Sequence, residues 1–292
     1  MKIIFIADFF IDQVLGGGEL NNEEAMSLLK ENNEIEVSKL QSHKVSLQFL
    51  QDNKDCKYII ANFVNLSPNV KQFIEVNCDY IIYEHDHKYL ANRNPAIYKN
   101  FEAPEKAIVN YSFYKNALAV FCQSVFHESI IKKNLQLENI VNLGGNLWSL
   151  ESLKKIKIFS EKEKKKACSI MNSSIPHKNA SAAIKYCEEN NKPFELIDQC
   201  VYYEFLDKMS NNDTFVFFPK TPETLSRIIV EARMMNMQVV TNSLVGATKE
   251  EWFSLKGLDL IEEMYKKRIS IVKEIKDIFY DEKHFKRAQV SI

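Results

Sequence analysis

The sequence predicts an α/β protein made of two Rossmann-like, doubly wound parallel-sheet domains facing a cleft. Three observations predict it. Short apolar runs recur with helical stretches between them, the pattern of alternating strand and helix. The runs are apolar almost throughout rather than alternating, which suits strands covered by helices on both faces. The 292 residues suffice for two domains of ordinary size, and a lysine-rich stretch separates the runs into two series.

The first series places strands at residues 3–7, 35–40, 58–63, 80–83, 119–122 and 140–143. The second places them at 167–171, 194–197, 214–218 and 239–241. Ile, Val, Phe and Tyr dominate both. Between them, residues 151–166 carry Lys154, Lys155, Lys157, Lys162, Lys164, Lys165 and Lys166 with little apolar periodicity. This stretch reads as a solvated connector with part of a surface helix. It gives a first domain at 1–150, a second at 151–265 and a C-terminal helix at 266–292. Ile261, Met264, Ile269, Ile271, Ile275, Ile278 and Phe279 give residues 260–279 the spacing of a long amphipathic helix.

The composition, 46% apolar and 26% charged, is that of a soluble globular protein. A formal net charge of −1 supplies no general attraction to nucleic acid or membrane. No apolar run reaches the roughly 18 residues of a membrane span. The N-terminal run ends at Asp8 with no small-residue cleavage site after it, so it reads as a buried strand rather than a leader. Six cysteines without a C-x-x-C pair predict reduced, buried thiols in a cytoplasmic protein. No oligomeric state follows from the sequence.

Glycine is scarce, with seven in the chain, and three stand together at Gly16, Gly17 and Gly18, before a helical run from about Glu19. A strand, a glycine-rich loop and a helix N-terminus make a phosphate cradle. The spacing is neither G-x-G-x-x-G nor a P-loop. The second informative segment is 214–246, where a strand ends at Pro219 and a helix is expected from about Glu223. Glu223 belongs at the helix mouth, placed for a sugar hydroxyl. Glu231 points inward from an apolar helix, placed for the two hydroxyls of a ribose, since a buried carboxylate without partners is costly. The N–H groups of Leu225, Ser226 and Arg227 face a diphosphate. Lys178, at a strand-to-helix turn after Pro176, is placed for a phosphate. His85 and His87 share one side of an extended segment with Asp86 opposite, and Glu84 cannot join the two histidines there as a metal ligand.

In order along the chain these parts resemble the retaining GT-B glycosyltransferases with an E-x7-E signature, here Glu223 to Glu231. Gly16-Gly17-Gly18-Glu19 resembles their N-terminal glycine loop. His85-Asp86 resembles the H-D of the acceptor side, and Lys178 the phosphate-contacting lysine. The resemblance implies transfer of a sugar from a nucleotide-diphosphate donor to an acceptor hydroxyl, with retention. It makes His85, Asp86 and Glu223 catalytic, and it has the last helix cross back to the first domain. No D-x-D pair appears, which fits a reaction without a metal, and no cofactor is implied beyond the nucleotide-sugar co-substrate. Acceptor recognition falls to residues 83–98, and the acceptor stays open among glycan, lipid, small molecule and modified DNA.

The chain also departs from that pattern. Met171-Asn172-Ser173-Ser174 stands where the family has a Gly-Arg pair, removing a bidentate phosphate contact. Arg227 or Arg93 is the available replacement. Ser226 stands where the family has glycine. Three alternatives keep the same fold: a non-catalytic nucleotide- or glycan-binding protein, a nucleotide-sugar epimerase, and an enzyme acting on a hydroxylated DNA base.

Overall fold

The computed structural model describes residues 1–280, and the part of the 266–292 helix beyond Tyr280 lies outside the described residues. The chain divides into two compact units. Of the described residues, the first comprises Met1–Gln123, Glu128–Leu143 and the part of the last helix from Arg268 to Tyr280; the second comprises Ser124–His127 and Gly144–Lys267.

In the first unit every apolar run of the first series is a strand: β1 (Lys2–Ala7), β2 (Glu36–Gln41), β3 (Lys57–Ile60), β4 (Asp79–Tyr83), β5 (Val120–Cys122) and β6 (Ile140–Asn142). All pair in parallel, in the order β2-β1-β3-β4-β5-β6. The connections carry α1 (Gly17–Lys30), α2 (Leu47–Asp52), α3 (Pro68–Asn77), α4 (Tyr111–Lys115) and α5 (Val125–Leu135). Register places Ile4 beside Tyr58 and Tyr58 beside Tyr80, so one sheet face presents a continuous apolar row. Val70 and Ile74 of α3 and Phe113 and Tyr114 of α4 share the core with that row.

The second unit contains α6 (Leu150–Ser160), β7 (Lys165–Met171), α7 (Ala180–Glu189), β8 (Phe194–Ile197), α8 (Tyr202–Met209), β9 (Asn212–Phe217), α9 (Arg227–Met234), β10 (Gln238–Thr241) and the start of α10 (Gly257–Tyr280). Its strands are parallel in the order β10-β9-β7-β8. The expected connector at 151–166 is instead a core helix followed by the start of a strand. Leu153, Ile156 and Phe159 recur every three residues, are buried, and join Phe215 and Ile229 in one core. Lys154, Lys155 and Lys157 lie between them on the exposed side, where their density hides the apolar stripe.

Both sheets are doubly wound. Strand order reverses between β1 and β3 in the first and between β7 and β9 in the second. The loops leaving the carboxyl ends of such strand pairs are where α/β sheets hold ligands.

Candidate functional site

In the second unit the loops after β7 and β9 supply the residues at the reversal point. The β7 loop leads through a short 3-10 turn, Pro176–Lys178, to Asn179, whose left-handed backbone (φ 57) precedes α7. The β9 loop is tied to it: Lys220 N donates to His177 O (2.8 Å) and Asn179 Nδ2 to Phe218 O (2.9 Å). These ties bring Lys178 and Glu223 together, with Lys178 Nζ 2.8 Å from Glu223 Oε1. Both side chains are partly buried.

The helix expected from about Glu223 begins at Arg227. Residues 223–225 are held outside the helix instead, with Glu223 in a bridge and Thr224 and Leu225 in a bend. Glu223 bridges in parallel to Val245, with Glu223 N donating to Leu244 O and Gly246 N to Glu223 O (2.8 and 2.9 Å). Backbone pairing with a neighbouring segment outweighs the helical propensity of the stretch. Glu223 therefore lies ahead of the helix, and Ser226 is its N-cap.

Glu231, 2% exposed, accepts from Trp148 Nε1 (2.9 Å) and Tyr202 OH (2.6 Å), and Arg227 Nε lies 3.5 Å away. All three approach Oε1. The carboxylate is thus buried with partners. Arg227 is equally committed: Nη1 donates to Leu147 O (2.6 Å) and its guanidinium lies 4.3 Å from the Trp148 ring centroid. The Arg227 side chain, considered above as a replacement for the absent arginine, is thus engaged in an i,i+4 pair within the core. Burial, reinforced by the Glu231 charge, pushes the Tyr202 hydroxyl well above its ordinary pKa, so Tyr202 stays a donor. Trp148 and Tyr202 escape the sequence reading because only folding brings them to Glu231.

In the first unit, α1 begins at Gly17, so Gly17 and Gly18 form its first turn and Gly16 is the N-cap. The Glu19 carboxylate folds back over this end: a Cβ at Gly16 would collide with Glu19 Oε2. Burial, with a contribution from Asp8, raises the Glu19 pKa. Asp8 itself, 5% exposed, accepts from Val64 N (2.9 Å), Asn65 N (3.0 Å) and Ser42 Oγ, fastening the β1, β2 and β3 loops together.

Beyond β4 the chain bends at His85 and Asp86 rather than running extended. Glu84 causes the bend. Fully buried, it pairs with Lys88, accepts from Tyr114 OH, and takes the Asp86 N–H at 2.8 Å. Burial raises its pKa despite the Lys88 ammonium. His85 Nδ1 accepts from the Gln123 amide, which leaves the proton on Nε2 to donate to Asn22 Oδ1 (2.6 Å). The same ring packs 3.6 Å from where a Cβ on Gly18 would stand. Asp86 pairs with Arg93 at 3.3 Å in a partly exposed contact. His87 is buried beside Tyr89 (3.2 Å), and burial lowers its pKa to about 3. Glu84, Asn22 and Gln123 carry no local motif; their positions at strand ends and in α1 are the only signal.

Among the described residues no group of three or more His, Cys, Asp or Glu side chains is placed to hold a metal ion. All six cysteines are free thiols. Among the described residues no helix is long and apolar enough to cross a membrane.

No protein-family model matches the chain, and no curated protein matches its sequence. Solved structures do match its fold. Sucrose-phosphate synthase from Thermosynechococcus elongatus superposes with a TM-score of 0.61 at 8% identity, over 95% of this chain and 99% of the synthase. Anabaena HepE in complex with UDP and glucose gives 0.51 at 14% identity over all of both chains. The lipopolysaccharide outer-core galactosyltransferase WaaB gives 0.50 at 12% identity, over 97% of this chain and 100% of that one. The present chain shares with these proteins the GT-B fold, two α/β units built on parallel sheets.

Proposed function

We propose that the protein is a glycosyltransferase that moves a sugar from a nucleoside-diphosphate donor to an acceptor hydroxyl, with retention at the anomeric carbon and without a metal. The observation that carries this reading is the meeting of Lys178, Glu223 and the N-terminus of α9 at the point where the second sheet reverses its strand order. A diphosphate there gains the Lys178 ammonium and the first N–H groups of a helix that begins at Arg227. Glu231 Oε1 is occupied by its protein partners, so Oε2 is the oxygen for the ribose hydroxyls. Binding of phosphate by Lys178 releases Glu223 to hold a hydroxyl of the donor sugar. As the bond from C1 to the diphosphate breaks, Lys178 and the helix N–H groups stabilise the charge on the leaving group. The acceptor oxygen bonds to C1 and its proton passes to the departing phosphate.

The first unit supplies the acceptor side in this reading. His85, held by Asn22 and Gln123, and Asp86, beside Arg93, contact hydroxyl groups there. The glycine turn of α1 borders His85 and places it. The structural neighbour HepE, whose complexes contain UDP with glucose and UDP-glucose, supports a nucleotide-sugar donor. Sucrose-phosphate synthase and WaaB support glycosyl transfer as the reaction class.

A thermal-shift panel of UDP-, GDP-, ADP- and CMP-linked sugars on the wild type and Lys178→Ala tests the reading. One nucleotide class should raise Tm, and the variant should bind it about tenfold more weakly. Absence of any shift in the wild type would sink the donor site. Binding without nucleoside-diphosphate release in the presence of acceptors would leave a binding protein in its place.

A further inference from the structure

Ser226 stands where the chain passes from a segment pinned by backbone hydrogen bonds into α9. On one side, Ala247 N donates to Leu225 O (2.9 Å), Ser124 Oγ to Thr224 O (2.5 Å) and Gly246 N to Glu223 O (2.9 Å). A Cβ on Gly246 would collide with the Thr224 carbonyl, so these segments lie as close as glycine permits. On the other side, Ile229 N and Val230 N bond Ser226 O. The single residue between must turn at φ 74 and ψ 83. A side chain is strained in this left-handed region and glycine is not.

Serine in such a position earns attention through what its hydroxyl does. An N-cap serine ordinarily accepts from a first-turn N–H, but Ser226 makes no such cap bond. Its Oγ is buried and makes no hydrogen bond, and the residue is 7% exposed. A strained backbone therefore carries a hydroxyl that satisfies nothing within the protein. Strain of this kind persists where the surroundings impose it and a ligand uses it. The hydroxyl sits at the start of α9, three residues after the partner of Lys178.

We propose that Ser226 binds the donor through its side chain: the hydroxyl donates to an oxygen of the diphosphate, as a second side-chain contact beside Lys178. The proposal rests on the donor-site reading above. It replaces the guanidinium that this chain lacks before Lys178 with a short neutral donor carried by the helix cap itself.

Ser226→Gly and Ser226→Ala test it, with UDP, GDP, ADP and CDP as probes. Glycine relieves the strain, so the ligand-free Ser226→Gly protein should melt about 2–4 °C higher. Its affinity for the nucleoside diphosphate that the wild type binds should fall about tenfold. Ser226→Ala should lose the same affinity without the gain in Tm. Wild-type affinity in both variants overturns the proposal, and so does a lower Tm in Ser226→Gly, which would make the hydroxyl structural. If the wild type binds no nucleoside diphosphate, the donor reading falls and this proposal with it. If Lys178→Ala weakens binding while both Ser226 variants do not, only this proposal falls.

Discussion

The two units repeat one plan with opposite chemistry at the reversal point of the sheet. In the first, α1 follows β1 with its N-terminus covered by the Glu19 carboxylate, and Asp8 lies close enough to raise the Glu19 pKa. In the second, α9 follows β9 with no side-chain cap, and Lys178 stands beside its approach segment. A helix N-terminus favours anions in either place. The first unit meets that demand with its own acid, whereas in the second no side chain caps the helix and the proposed donor diphosphate would meet it.

Each unit also buries an i,i+4 ion pair beyond a strand end, Glu84–Lys88 in the first and Arg227–Glu231 in the second. Removing one partner leaves a buried charge uncompensated, which typically costs about 3–5 kcal/mol. Glu84→Ala and Glu231→Ala should each lose stability on that scale in urea unfolding. Separate transitions, with each variant shifting one of them, would show that each pair serves its own unit. A loss below about 1 kcal/mol in either would mean that its pair is solvated.

Effects on ligand affinity sharpen the electrostatic contrast. Glu19→Gln should change nucleoside-diphosphate affinity less than about twofold, against the tenfold expected for Lys178→Ala. A strong gain in affinity on neutralising Glu19 would move the anion to α1 and invert the assignment of the two units.

A further effect is confined to the first unit and to acid pH. Burial holds the folded pKa of His87 at about 3, while an unfolded histidine titrates near about 6.5. Between these values the unfolded chain binds a proton that the folded chain does not, so stability falls as pH drops below about 6.5. From about pH 6.5 to 5 the loss should reach about 2 kcal/mol. His87→Gln should flatten this part of the curve; an unchanged slope would place the sensitivity on other groups.

Much of this was readable in the chain. Each predicted apolar run is a strand, with ends that shift by up to three residues. Continuous apolarity survives any arrangement of a sheet covered on both faces. Residues 151–166 were misread because lysines crowd the exposed side of a helix whose buried stripe is only Leu153, Ile156 and Phe159. The start of α9 differs from the expectation because hydrogen bonds to residues 244–247 hold 223–225 outside the helix, and no local pattern announces them. Glu223 and Lys178 were singled out separately; their contact at 2.8 Å is a product of folding.

The amino-acid sequence by itself determined the class of fold, the ten strands among the described residues and the helices that carry Glu231 and Gly17, because these follow from local periodicity and backbone preference. The tertiary structure alone decided strand order, the partners of Glu231, the engagement of Arg227 with the core, and which helix N-terminus is covered by its own acid. Those outcomes depend on residues far apart in the chain. Their hydrogen bonds and charges act only over a few ångströms, so they have no meaning until the sheets bring them together.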